Sequence, residues 1–182
     1  MQSVFLLGQK QDKKKENKGI TTMNIKSVGT EICFQEIPDE ISLAFFISNC
    51  PNNCPGCHSP YLREDVGAEV LSILPKEIRN SIDAISCALF MGGDDSRQIE
   101  QLKMALYYCR AKGLKTALYS GSDSFPTDEE LLWALDYVKV GSYREDLGGL
   151  KNPNTNQRLY KKQENGEWED ITYRFWSSPI SP

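Results

Sequence analysis

The chain has 182 residues, 40% of them apolar and 25% charged, and its 21 Lys and Arg against 25 Asp and Glu leave a formal charge of −4. This length suits one domain with a buried core, and the acidic balance argues against a nucleic-acid binder that works through a basic face. The longest apolar runs, Leu43–Ile47 and Cys87–Met91, fall far below the roughly 18 residues needed to cross a bilayer, which excludes a spanning helix.

Residues 1–22 read as a flexible leader or start-site extension. Val4–Leu7 precedes the Lys13, Lys14, Lys15 run and no small-residue cleavage site follows, the reverse of a signal peptide. A single domain over 23–182 is expected to begin near Met23. Six cysteines in an acidic chain without a signal do not make a secreted disulfide framework, so a cytoplasmic protein is expected. Cys33, Cys87 and Cys109 sit in apolar surroundings and read as small core residues.

From residue 42 on, strand and helix signals alternate. Ser42–Ile47 is an apolar, aromatic run that reads as a buried strand and leads straight into a cysteine-rich loop. Pro75 is read as opening a helix at its first position, with Ile78, Ile82 and Ile85 at helical spacing. Ala84–Met91 predicts a second strand, ended by Gly92-Gly93. Ile99, Leu102, Leu106 and Cys109 form one helical stripe, and Gly113 marks its end. Leu114–Tyr119 is a third strand, broken by Ser120-Gly121. Thr127 and Glu130 form a capping-box pattern before Leu131, Leu132 and Leu135, and Tyr137–Val140 makes a fourth strand. Beyond about residue 144 the pattern becomes polar and irregular, closing on the aromatic stretch Trp168–Trp176.

Alternating strands and helices favour a parallel α/β sheet, because parallel strands need crossover connections. Ligands collect at the carboxyl ends of such strands. The cysteine loop, Gly92-Gly93-Asp94 and Ser120-Gly121 all follow strands, so they are expected to converge on one rim.

Cys50-Pro-Asn-Asn-Cys54-Pro-Gly-Cys57 is a C-x3-C-x2-C triad. Spacing this close lets one short loop present three thiolates to a single centre, and thiolates suit zinc and iron–sulfur clusters. A structural zinc site needs four protein ligands. No second half-site occurs, and His58, the only histidine, is adjacent to Cys57. Cys33, Cys87 or Cys109 completing a zinc site is the competing reading, that of a binding module without catalysis. A four-iron cluster on three ligands instead leaves one iron open to a small chelate.

The triad after a first strand resembles the signature of radical S-adenosylmethionine enzymes, and Gly92-Gly93-Asp94 resembles their glycine-rich motif. More specifically, FFISNCPNNCPGCHSPYLRED (Phe45–Asp65) is similar to the cluster loop of anaerobic ribonucleoside-triphosphate reductase activating proteins. LFMGGDD at Leu89–Asp95, ALYSG at Ala117–Gly121 and NQRLY at Asn156–Tyr160 are similar in the same order. The likeness runs from about residue 40 to 170.

This resemblance implies a partial, open (β/α) barrel of about four to six parallel strands. It implies a 4Fe–4S cluster on Cys50, Cys54 and Cys57, whose open iron chelates S-adenosylmethionine. A low-potential donor such as a flavodoxin or ferredoxin would supply the electron. The resulting 5′-deoxyadenosyl radical would take hydrogen from a glycine Cα of the reductase. By the same match, Gly56 and His58 lie beside the cofactor, Gly92, Gly93 and Asp94 meet its methionyl end, and Ser120 and Gly121 contact its sugar or adenine. The chain departs from the pattern at His58, where the family often has Tyr, and at Asp95, where Pro often follows. Activases of other glycyl-radical enzymes commonly carry His at the first position, so another glycyl-radical partner, or a small-molecule substrate, is the alternative. Asp94 has a second reading as a cap for a helix starting near Ser96, and the terminal aromatics have one as packing.

Overall fold

The computed structural model of the protein describes residues 23–176; the leader expected over 1–22 lies outside them. Eight strands form one open, mixed sheet: β1 (Lys26–Cys33), β2 (Ser42–Ile47), β3 (Ala68–Glu69), β4 (Cys87–Met91), β5 (Lys115–Tyr119), β6 (Tyr137–Val140), β7 (Arg158–Lys162) and β8 (Trp168–Asp170). Their order is β3-β1-β2-β4-β5-β6-β7-β8. Only β2, β4, β5 and β6 run parallel to one another; the four pairings outside them are antiparallel. The expected parallel sheet is therefore the middle of a larger mixed one. The polar region beyond 144 supplies β7 and β8, which turn back antiparallel onto β6.

Helices α1 (Val70–Ser81), α2 (Ile99–Ala111) and α3 (Glu129–Ala134) supply the crossovers. Leu74, Ile78, Leu102, Leu106, Cys109 and Leu131 pack with Leu43, Phe45, Ala88, Phe90, Leu118 and Val138 of the sheet. Phe45 and Phe90, register partners on β2 and β4, stack at 5.1 Å. The opposite sheet face presents Ala44, Cys87, Leu89, Ala117, Tyr137 and Leu159, packed with Ile37 and Ile171. Two-sided burial explains why these strands read as continuous apolar runs. Among the described residues no helix is long and apolar enough to cross a membrane.

Three local expectations change. Pro75 lies inside α1 rather than at its start. The helix begins earlier because Val70, Leu74 and Ile78 form its buried stripe, and Ile85 already precedes β4. Asp128, not Thr127, caps α3, its carboxylate accepting from the Leu131 amide at 2.8 Å. That carboxylate also pairs with buried Lys103 at 2.8 Å, tying α3 to α2. Cys33 is only partly buried, whereas Cys87 and Cys109 are core residues as expected. The end of α2 matches its prediction: Leu114 N donates to Cys109 O and Gly113 N to Arg110 O, a Schellman closure with Gly113 at φ 79°.

Candidate functional site

The four parallel strands release their loops at one end of the sheet. β2 leads into the cysteine loop, β4 into Gly92-Gly93-Asp94, β5 into Ser120-Gly121 and β6 into Gly141. These loops enclose a cleft of about 400 Å³ lined by Cys50, Cys54, Cys57, Gly92, Gly93, Asp94, Ser120 and Gly121, together with Lys139, Tyr143 and Gln157. Eight of the ten sequence-predicted residues thus meet in one place.

Gly56 and His58 do not line this cleft. His58 Nε2 lies 3.1 Å from the Tyr143 hydroxyl, with ring centroids 4.8 Å apart. A Cβ built on Gly56 would stand 2.8 Å from the Glu145 carboxyl. Both residues fasten the cysteine loop to the turn that follows β6. They stand behind the cleft wall that Cys57 and Tyr143 line, rather than on its surface.

The cysteine loop is tied at both ends by main-chain hydrogen bonds. Asn49 N donates to Glu64 O at 3.0 Å and Cys50 N to Leu62 O at 2.9 Å. Within the loop, the Cys57 amide and the Arg63 guanidinium both donate to Cys54 O, at 3.3 and 3.2 Å. All three cysteines are free thiols of intermediate burial. Burial pushes the Cys50 thiol up, a hydrogen bond from the Asn52 amide opposes it, and negative charge on Cys54, Cys57 and Asp94 raises it further. Thiols that feel one another in a low-dielectric cleft are relieved by a shared cation, which makes the donor set fit a metal centre. Among the described residues no three metal-ligating side chains stand in ligating geometry.

Among the described residues no fourth thiolate or imidazole lines the cleft beside these three. Cys87 belongs to the core on one sheet face and Cys109 to the core on the other, while Cys33 packs beside the former. None of the three lines the cleft, and neither does His58.

Gly92 and Gly93 adopt φ 99° and 93°, a region that side chains rarely enter, so the main chain lies bare along the cleft. The Asp94 carboxylate accepts from Ser120 Oγ at 2.5 Å, and Ser120 Oγ in turn accepts from the Ser122 amide at 2.9 Å. This contact joins the β4 and β5 loops, and Asp94 caps no helix. Asp95 instead takes the local turn, accepting from the Arg97 amide and Nε.

Lys139, from the middle of β6, escaped the sequence reading. It is 7% exposed, and its ammonium donates to Gly141 O at 2.7 Å and Ser120 O at 3.4 Å. Among the described residues no carboxylate pairs with it. Burial drives its pKa down to about 8, against the pull of negative charge on Cys54, Asp123 and Asp94. A desolvated cation held by two carbonyls and the face of the Tyr119 ring, 6.0 Å from its centroid, with no carboxylate beside it, calls for an anionic ligand. An anion would favour the charged form, so carboxylate binding to the metal-free protein is expected to be strongest below pH 8. It should weaken as pH rises past that value and the ammonium is lost. Nitrogen NMR of Lys139 checks this: a midpoint near 8 should climb when the ligand is added.

Gly141 allows the lead-in to β7 to approach this lysine. At φ 106° it brings its position of a Cβ to 2.8 Å from Gln157 Cα and 3.1 Å from Asn156 O. Both are main-chain atoms that cannot swing aside. Gly141→Ala is expected to destabilise the fold by about 2–4 kcal/mol, read by urea denaturation.

No family model and no curated protein matches the chain.

Proposed function

We propose that the protein is a radical S-adenosylmethionine activase that installs a glycyl radical on anaerobic ribonucleoside-triphosphate reductase. The observation that carries this reading is one cleft holding three free thiols, a bare glycine pair and an unpaired buried ammonium. Cys50, Cys54 and Cys57 would hold a 4Fe–4S cluster through their thiolates. When bound, the cluster supplies the electron that splits S-adenosylmethionine and so yields the hydrogen-abstracting radical. Lys139 would meet the carboxylate of that amino acid. The main chain at Gly92-Gly93 and the Asp94 carboxylate offer acceptors for its ammonium. Ser120 holds Asp94 in place and stands with Gly121 on the wall toward the nucleoside.

The same reading makes the sheet a partial (β/α) barrel whose parallel run, β2-β4-β5-β6, carries the chemistry at its carboxyl end. A macromolecular substrate must deliver a glycine-bearing segment there, which an open sheet allows. A cytoplasmic setting and a low-potential electron donor such as a flavodoxin or ferredoxin belong to the same proposal. The test is electron paramagnetic resonance (EPR) after mixing cluster-loaded, reduced protein with S-adenosylmethionine and the reductase. A glycyl-radical signal on the reductase is expected, and its absence with a loaded cluster rejects the assignment.

A further inference from the structure

We infer that Gln157 is a specificity-determining residue that reads the main-chain amides flanking the partner's target glycine. The inference rests on the activase reading above and goes beyond it in assigning the substrate contact. Gln157 lines the cleft and is 7% exposed. Its backbone is fixed: the amide donates to Thr155 Oγ1 at 3.2 Å, the carbonyl accepts from Arg158 at 2.8 Å, and Gly141 packs against its Cα.

The side chain, by contrast, is under-used. Nε2 makes one long hydrogen bond, 3.4 Å to Gly141 O, a carbonyl that Lys139 already engages at 2.7 Å. Among the described residues Oε1 accepts none. A carboxamide carries two donor hydrogens and a two-lone-pair acceptor, so this one keeps hydrogen-bonding capacity for a ligand that enters the cleft. The partner it calls for must offer an acceptor and a donor together, which a peptide group does.

Glycine is the one residue whose recognition cannot use a side chain. A protein that must choose a single glycine in a large partner has to read the flanking main chain. A pre-positioned carboxamide on the wall of the reaction cleft meets that need with little ordering cost. The cofactor's carboxylate and ammonium already have Lys139 and the Gly92–Asp94 segment as counterparts. The edge of its adenine is the competing occupant, since carboxamides also pair with adenine.

Gln157→Met keeps the length and volume of the side chain and removes both hydrogen-bonding functions; Gln157→Asn keeps the carboxamide but withdraws it by one methylene. With cluster-loaded protein, dissociation constants are measured separately for S-adenosylmethionine and for the glycyl-radical subunit of the reductase. Gln157→Met is expected to weaken reductase binding about ten- to hundredfold. The Asn variant should fall between it and the unaltered protein, and the affinity for S-adenosylmethionine should shift far less in both. An equal loss toward S-adenosylmethionine would place the carboxamide on adenine and overturn the inference, as would unchanged affinity for both ligands. If Gln157→Met does not fold, Gln157→Asn carries the same comparison. Unaltered protein that loads its cluster but never binds the reductase overturns this inference and the function together; Gln157 variants of a binding-competent protein that lose nothing, or lose both ligands equally, overturn the inference alone.

Discussion

Cys54→Ala protein, reconstituted anaerobically with iron and sulfide, is expected to keep its fold and lose its cluster. Iron should fall from about four atoms per chain to a small fraction of one, and glycyl-radical formation should disappear with it. The loop around Cys54 is held by main-chain contacts that this change leaves alone: the carbonyl of residue 54 still accepts from Cys57 and Arg63, and the Leu62–Cys50 and Glu64–Asn49 hydrogen bonds persist. What is lost is one thiolate of three. Two ligands from one short loop do not retain a cluster against exchange into solvent. Cys33→Ala is the control, because Cys33 packs on the sheet face that Leu89 and Ala117 share, and it should load iron normally. Iron and sulfide content with visible absorbance reads both outcomes.

Lys139→Met has the second-largest expected effect, and its signature is a split between binding and stability. Removing one partner of a buried charge pair costs roughly 2–5 kcal/mol of binding, so affinity for S-adenosylmethionine should drop about thirtyfold or more. Cluster content should not change. Stability should hold or rise, because burial already drives this ammonium's pKa down to about 8, and an apolar replacement of similar length removes a desolvation cost. The carbonyl of Gly141 keeps a donor in Gln157 Nε2. Equilibrium binding and thermal melting on one preparation test both halves. Unchanged affinity would show that the lysine faces no anion.

The central strands were legible because burial on both faces writes itself as apolar runs. Ser42–Ile47 and Tyr137–Val140 agree residue for residue with β2 and β6, and the other two parallel strands start late by one to three positions. The antiparallel additions were hidden. β1, KSVGTEIC, leaves most of its residues part-exposed and carries a glycine and a register shift, so it shows no clean alternation. β7, RLYKK, buries only Leu159. Its place in the sheet comes from pairing with β6, a long-range contact that local pattern does not encode. Pro75 misled because proline is commonest at the first turn; here the Val70, Leu74, Ile78 stripe sets the boundary and the ring is accommodated within α1.

At the site, sequence order placed the thiols, the glycine pair and Ser120-Gly121 on a common rim, because strand ends in a parallel sheet share an edge. The packing of Gly56 and His58 against Glu145 and Tyr143 was not legible, because it depends on a turn more than eighty positions downstream. The signal for Lys139 was present and unread: a charge inside Tyr137–Val140, a strand buried on both faces, has no solvent to reach. Such a residue must either lose its proton or find a counter-ion, and that alone marks a position worth examining. Gln157 lay within a quoted motif, but only the cleft shows that its carboxamide has capacity to spare.

The most direct measurement is the EPR spectrum of the anaerobically reconstituted, reduced protein recorded before and after S-adenosylmethionine is added. A reduced four-iron signal whose g-values move on addition is the predicted result, because the fourth iron then changes its ligands. A colourless protein with one bound zinc, or a cluster signal indifferent to saturating S-adenosylmethionine, would contradict it.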